Sequence, residues 1–152
     1  MIYYDKMIRK LFLKGGRQTF FLMLILGMMI GLQTANAQEQ AYVTYTNGTL
    51  TFDYGVKPTT GNVYDLNAGA NEPAWKTVNP QVTKVEFTAN FSKAHPTSLS
   101  YWFEGCTNLT DIEGIEYLNT SNVDHFFCTF QGCEKLTTID VSQFNTSNAI
   151  IM

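Results

Sequence analysis

The sequence predicts an α/β repeat fold, a leucine-rich-repeat-like solenoid of one strand and one short helix per roughly 27 residues, closed at its N-terminal end by a β-hairpin cap. Three observations predict it. Apolar segments recur at a fixed spacing of 27; the stretches between them recur at nearly the same spacing; and an Asn-Gly turn between two alternating segments precedes the first copy. Internal periodicity weighs more than local propensity, because a single repeat cannot bury its apolar side alone and only stacked copies make a continuous core.

The recurring strand-like segments are Val82-Thr-Lys-Val85-Glu-Phe87, Leu109-Thr-Asp-Ile112-Glu-Gly114 and Leu136-Thr-Thr-Ile139-Asp-Val141. Each approximates the strand part of a leucine-rich repeat, and Gly114 breaks the third apolar position of the middle copy. Stacking is expected to set Leu109 on Leu136 and Ile112 on Ile139, about 4.8 Å apart. Between the segments, Leu99-x3-Phe103-x-Gly105-Cys106 matches Phe126-x3-Phe130-x-Gly132-Cys133. An i, i+4 apolar pair is the face of a short helix, and Gly105 and Gly132 stand where it would end. Asn119-Thr-Ser-Asn122 and Asn145-Thr-Ser-Asn148 supply turn and cap residues.

Ahead of the repeats, Tyr42-Val-Thr-Tyr45 and Leu50-Thr-Phe-Asp-Tyr54 alternate as half-buried strands do, with Asn47-Gly48 between them. A Gly/Asn/Pro-rich stretch follows from Gly55 to Pro80. Residues 38–81 therefore read as a cap covering the first strand edge, and residues 82–152 as the repeat body. Residues 1–37 read as a signal peptide. Lys6, Arg9, Lys10, Lys14 and Arg17 form a basic region, Phe20 to Leu32 an uncharged apolar run, and Thr34-Ala35-Asn36-Ala37 a small-x-small cleavage pattern. The run is too short for the ~20 residues of a membrane span. The expected localisation is the bacterial cell surface or the medium, with membrane contact confined to export.

Past Ala37 the chain carries five lysines, no arginine and twelve acidic side chains, a net charge of −7. Such a balance argues against nucleic acid as a partner. Three cysteines, Cys106, Cys128 and Cys133, make no disulfide framework. Cys106 and Cys133 are repeat-equivalent and read better as small buried apolar residues than as a bridge. His125, Cys128 and Cys133 have no structural zinc spacing and no fourth ligand, so no metal is expected. Neither His95 nor His125 sits in a nucleophile motif and no Gly-rich phosphate loop is present, so the chain reads as a non-enzyme without cofactors. Asn47, Asn90, Asn108, Asn119 and Asn145 are formal glycosylation sequons that read here as turn composition.

The candidate binding residues lie on the exposed side of the repeated strand segments. Glu86, Glu113 and Asp140 hold equivalent positions between inward apolar residues, and Thr83, Thr110 and Thr137 form a second ladder. Stacked carboxylates repel one another, and a cation or a basic partner relieves that. The plainer reading of both ladders is a solvated strand face.

The strings Trp102-Phe-Glu-Gly-Cys-Thr-Asn-Leu-Thr-Asp-Ile-Glu-Gly-Ile-Glu-Tyr-Leu-Asn-Thr-Ser-Asn-Val123 and Phe130-Gln-Gly-Cys-Glu-Lys-Leu-Thr-Thr-Ile-Asp-Val-Ser-Gln-Phe-Asn-Thr-Ser-Asn148 resemble the BspA-like leucine-rich-repeat surface proteins of bacteria. The resemblance covers residues 41–152. It implies adhesion to extracellular host or bacterial proteins or glycans, and no catalytic residues. The chain departs from the family at Asp124-His125-Phe126, where Thr-Asp-Met is usual. It also stops at Met152 as a further copy begins, which reads as a truncated repeat array. The alternative is an accessory or spacer module of a longer secreted protein or enzyme.

Overall fold

A computed structural model describes residues 37–152; the signal-peptide reading of residues 1–37 lies outside the described residues apart from its last one. The architecture is a five-stranded mixed sheet of order β3-β1-β2-β4-β5. The strands are β1 (Glu39–Thr46), β2 (Thr49–Val56), β3 (Asn62–Tyr64), β4 (Lys84–Phe87) and β5 (Asp111–Glu113). Three short 3-10 helices, Lys76–Gln81, Ala89–Lys93 and Ile115–Tyr117, are the only helical elements among the described residues. The chain is therefore not an α/β repeat solenoid, and leucine-rich repeat and solenoid are withdrawn as descriptions of it.

β1 and β2 pair antiparallel from Glu39↔Val56 to Thr46↔Thr49. Asn47 and Gly48 both have positive φ, 49° and 83°, the backbone that a tight two-residue hairpin requires and that Asn and Gly tolerate best. The turn is also a docking point: its Gly48 carbonyl accepts the Thr83 N–H at 2.8 Å, which brings β4 alongside β2 in parallel. β5 then pairs parallel with β4 as Lys84↔Asp111, Val85↔Ile112 and Glu86↔Glu113, each pair 27 residues apart.

The two expected helices are not formed. Tyr101 and Cys128, 27 residues apart, both take left-handed backbone (φ 62° and 53°), as do Gly105 and Gly132 (73° and 75°), and a right-handed helix cannot pass through them. The backbone amides are satisfied in another way. Leu99, Tyr101, Phe103 and Gly105 donate to the carbonyls of His125, Phe127, Thr129 and Gln131 in the next copy, at 2.8 to 3.0 Å. The intervening Trp102, Glu104 and Cys106 donate to Leu99, Tyr101 and Phe103, closing tight turns. Lateral bonds between copies thus replace the i→i−4 bonds of a helix and leave few orphan donors.

The third strand segment is also absent. Residues 136–141 run without strand pairing, and Leu136 and Ile139 are only half-buried while Val141 is exposed. Ile112 and Ile139 do not stack as strand neighbours; both line one groove.

The core lies on the inward side of the sheet, where Val43, Leu50, Phe52, Val85 and Phe87 are buried. Phe52 is its centre. Its ring stacks on Phe87 at 4.6 Å and on Trp102 at 4.9 Å, and meets Trp75, Phe91 and Phe103 edge-on at 5.6 to 5.8 Å. The Gly/Asn/Pro-rich stretch contributes to this core more than its composition suggests. Trp75 is fully buried and its Nε1 donates to the Trp102 carbonyl at 2.9 Å. Asn79, also buried, donates through Nδ2 to the Glu104 carbonyl at 2.9 Å, and Trp102 Nε1 donates to Asn67 Oδ1 at 2.6 Å. These bonds tie the crossover between β2 and β4 to the turns of residues 99–106.

Candidate functional site

Alternation along β2, β4 and β5 separates the core from an outward polar face. Because Thr49 pairs with Lys84 and Thr51 with Glu86, and these in turn with Asp111 and Glu113, all six side chains emerge on the side opposite Leu50, Val85 and Ile112. Asp53 continues the row on β2.

Two of the six expected site residues, Glu86 and Glu113, come together on this face. Glu86 and Glu113 are direct register partners. Thr83 and Thr110 precede β4 and β5, and both are exposed. Their hydroxyls bond to backbone: Thr83 Oγ1 donates to the Gly48 carbonyl at 3.3 Å, and Thr110 Oγ1 to the Thr83 carbonyl at 3.2 Å. The threonine ladder therefore pins register, leaving hydroxyl lone pairs as its remaining polar capacity. Asp140 and Thr137 are not part of the sheet. Asp140 instead accepts the Ser142 N–H at 2.9 Å in a local turn, and this bonding with Ser142 holds its carboxyl below the usual aspartate range.

Lys84 and Asp111 add charge to the same face. Lys84 reaches across to Glu113 at 2.7 Å, and that bond, with further attraction from Asp111 and Glu86, holds the ammonium above the ordinary lysine range. The carboxylates at the centre of the ladder therefore carry their own cation. Asp111 is the repeat-equivalent of Lys84, and the 27-residue register that aligned Glu86 with Glu113 pointed to both.

At the inner end of the face, Asp53 accepts from the Thr88 hydroxyl at 2.6 Å, the Tyr54 N–H at 2.8 Å and the Tyr42 hydroxyl at 3.0 Å. Partial burial works to raise its pKa, but the bonds from Thr88, Tyr54, Tyr42 and Asn90 outweigh it and hold the carboxyl below its ordinary value. The Tyr42 phenol is pushed up, first by burial and then by the neighbouring carboxylate.

Beyond β5 lies a groove of about 450 Å³. It is lined by Thr110, Asp111, Ile112 and Ile115 together with Thr138, Ile139 and Asp140. A second cleft, of about 310 Å³, is lined by Glu116, Tyr117, Asn119, Gln143 and Asn145 among others.

The histidines and cysteines do not converge. His125 Nδ1 lies 2.6 Å from Asp124 Oδ1, and His95 Nδ1 lies 3.3 Å from Asn119 Nδ2. Among the described residues no group of three His, Cys, Asp or Glu side chains is placed to hold a metal ion. All three cysteines are free. Burial pushes the Cys106 thiol well up and the Cys133 thiol to about 11, and Cys133 Sγ donates to the Phe103 carbonyl at 3.2 Å. Comparison with family models, with curated proteins and with solved structures found no match to this chain.

Proposed function

We propose that this chain is a non-catalytic binding module that recognises an extracellular protein or glycan at the cell surface through the outward face of β2, β4 and β5. The observation that carries the reading is the in-register pair Glu86 and Glu113, with Lys84 bonded to Glu113 and Asp111 beside it. The strand backbone holds these charges at fixed spacing, so little side-chain ordering remains to be done when a partner docks. Flanking Thr49 and Thr51 supply hydroxyls of the kind that protein and glycan surfaces pair with. Glu113 is held by an ammonium group and not by a histidine or a nucleophile, an arrangement suited to recognition and not to proton transfer.

The test is binding of the full chain to intact cells and to immobilised extracellular matrix proteins and glycans. The double variant Glu86→Gln, Glu113→Gln is expected to lose at least about fivefold in affinity while unfolding at the wild-type temperature, as rim charges at an interface do. Unchanged binding to every surface that the wild type binds overturns the reading. Surface proteolysis of intact producing cells tests the proposed location.

A further inference from the structure

The carbonyls of Phe127, Thr129 and Gln131 point back at residues 99–105, where they accept the amides of Tyr101, Phe103 and Gly105. No peptide bond among the described residues is cis. In a trans peptide the N–H points opposite to the carbonyl with which it shares a plane. The amides of Cys128, Phe130 and Gly132, joined to those three carbonyls, therefore point out of the far side of the row. Among the described residues no hydrogen-bond acceptor meets any of the three. The row does begin to be covered: Phe126 N–H donates to the Ile151 carbonyl at 2.9 Å, just as Leu99 N–H donates to His125 at 2.8 Å.

The opposite side of the stack is closed. There the carbonyls of Ser100, Trp102 and Glu104 accept from Asn67 Nδ2 at 3.1 Å, Trp75 Nε1 at 2.9 Å and Asn79 Nδ2 at 2.9 Å. Side chains repeat the asymmetry. Leu99, Phe103 and Cys106 are fully buried, whereas their equivalents Phe126, Phe130 and Cys133 are half-buried and Phe127 is exposed. Unsatisfied donors and uncovered apolar side chains thus share one end of the molecule.

The first row shows what such donors take. They are covered by residues 125–131, which lie parallel to it and offer a carbonyl at every second residue. The same segment stacks Phe130 on Phe103 at 5.3 Å and comes close at a glycine, where a carbon added to Gly132 would stand 3.5 Å from Gly105. A second copy of this chain has no such segment to give. The carbonyls of its second row are held by its first, and those of its first row by Asn67, Trp75 and Asn79.

We propose that the donor row of Cys128, Phe130 and Gly132 docks a segment of a partner protein that carries this chain's own turn pattern: an apolar residue, three residues, an aromatic, one residue, then glycine. The segment lies parallel to residues 126–132. Its alternate carbonyls accept the three amides, and its apolar pair covers Phe126 and Phe130. This surface is separate from the outward face of β2, β4 and β5, and either can fail without the other.

The experiment uses the isotope-labelled full chain and hydrogen exchange. In the free chain the amides of Cys128, Phe130 and Gly132 are expected to exchange about tenfold or more faster than those of Tyr101, Phe103 and Gly105. The probe is the end-blocked peptide of residues 125–133 carrying Cys128→Ser and Cys133→Ser. Saturable binding is expected, with slowed exchange at the three amides, and a scrambled peptide of the same composition is expected to bind about tenfold or more weakly. No binding at millimolar peptide overturns the proposal, as does equal binding of the scrambled peptide. Protection of the three amides in the free monomer overturns it too. Protection that grows with protein concentration assigns the row to a second copy, and shifts confined to Thr51, Glu86 and Glu113 assign the peptide to the outward face; both outcomes count against the proposal.

Discussion

Replacing Gly114 with alanine puts a methyl carbon 2.1 Å from the Phe87 carbonyl oxygen and 3.1 Å from its carbon, on a residue with φ of +70°. Two costs add. Left-handed backbone disfavours an L side chain by roughly 1–2 kcal/mol. The contact is with backbone, so it is relieved only by moving β5 away from β4, and strained sites of this kind cost ~1–3 kcal/mol each. Gly105→Ala is the matched control, because its φ is +73° and nothing lies within 4 Å of the added carbon. Gly105→Ala is expected to cost about 1–2 kcal/mol and Gly114→Ala about 2 kcal/mol more, a further loss of roughly 5–10 °C in Tm for a unit of this size. Urea and thermal unfolding of the two variants in parallel measure the difference. Agreement of the two within about 0.5 kcal/mol, the scatter expected of unrelated sites, would refute the close approach of residue 114 to Phe87 on which the β4–β5 pairing rests.

Phe52→Ala removes the ring around which five other aromatic rings pack and is expected to destabilise by ~3–5 kcal/mol, enough to unfold a marginal domain; a loss under about 1 kcal/mol in urea unfolding would show that the cluster is not the core. Asp53 has its pKa lowered in the folded state, so the stability it contributes is fully present above the ordinary aspartate value and is lost as pH falls through the lower folded value. Asp53→Asn should therefore flatten the acid limb of the stability–pH curve below about pH 4, and an unaltered limb would contradict the hydrogen-bond set. With its pKa near 11 the Cys133 thiol should react with iodoacetamide at pH 8 on the order of a hundredfold more slowly than an ordinary cysteine, and buried Cys106 only on unfolding. Labelling of both at the rate of a free thiol would contradict their burial.

The 27-residue register was legible because it rests on side-chain burial. Val85 and Ile112 are apolar, equivalent and paired, and the polar residues on either side of them share the opposite face. The Asn47-Gly48 reversal was legible because few other residue pairs tolerate its backbone. The helices were misread because Leu99 with Phe103, and Phe126 with Phe130, satisfy an i, i+4 pattern equally well in a row of tight turns. The deciding residues, Tyr101 and Cys128, are left-handed without being Gly or Asn, and nothing in their identity announces it. Their conformation is held by bonds to the neighbouring copy, a non-local cause. The strand expected at 136–141 is not formed either: continued in the 27-residue register, its Asp140 would face Glu113.

For the candidate site, alternation located Glu86 and Glu113 but not the cation that joins them. Lys84 lies inside the Val82–Phe87 segment, but which side chain it meets depends on the pairing of β4 with β5. The role of Trp75 and Asn79 was hidden because a Gly/Asn/Pro-rich stretch reads as loop; a tryptophan isolated in such a stretch was the available sign, since so large an apolar surface is seldom left in water.

The central claim is that lateral backbone bonds between residues 99–105 and 125–131 take the place of the helices expected there. Hydrogen-bond scalar couplings test it most directly, because they identify donor and acceptor by atom. The structure predicts couplings from the amides of Tyr101, Phe103 and Gly105 to the carbonyls of Phe127, Thr129 and Gln131. Couplings from those amides to carbonyls four residues earlier in the chain would contradict it and restore a helix between the strands.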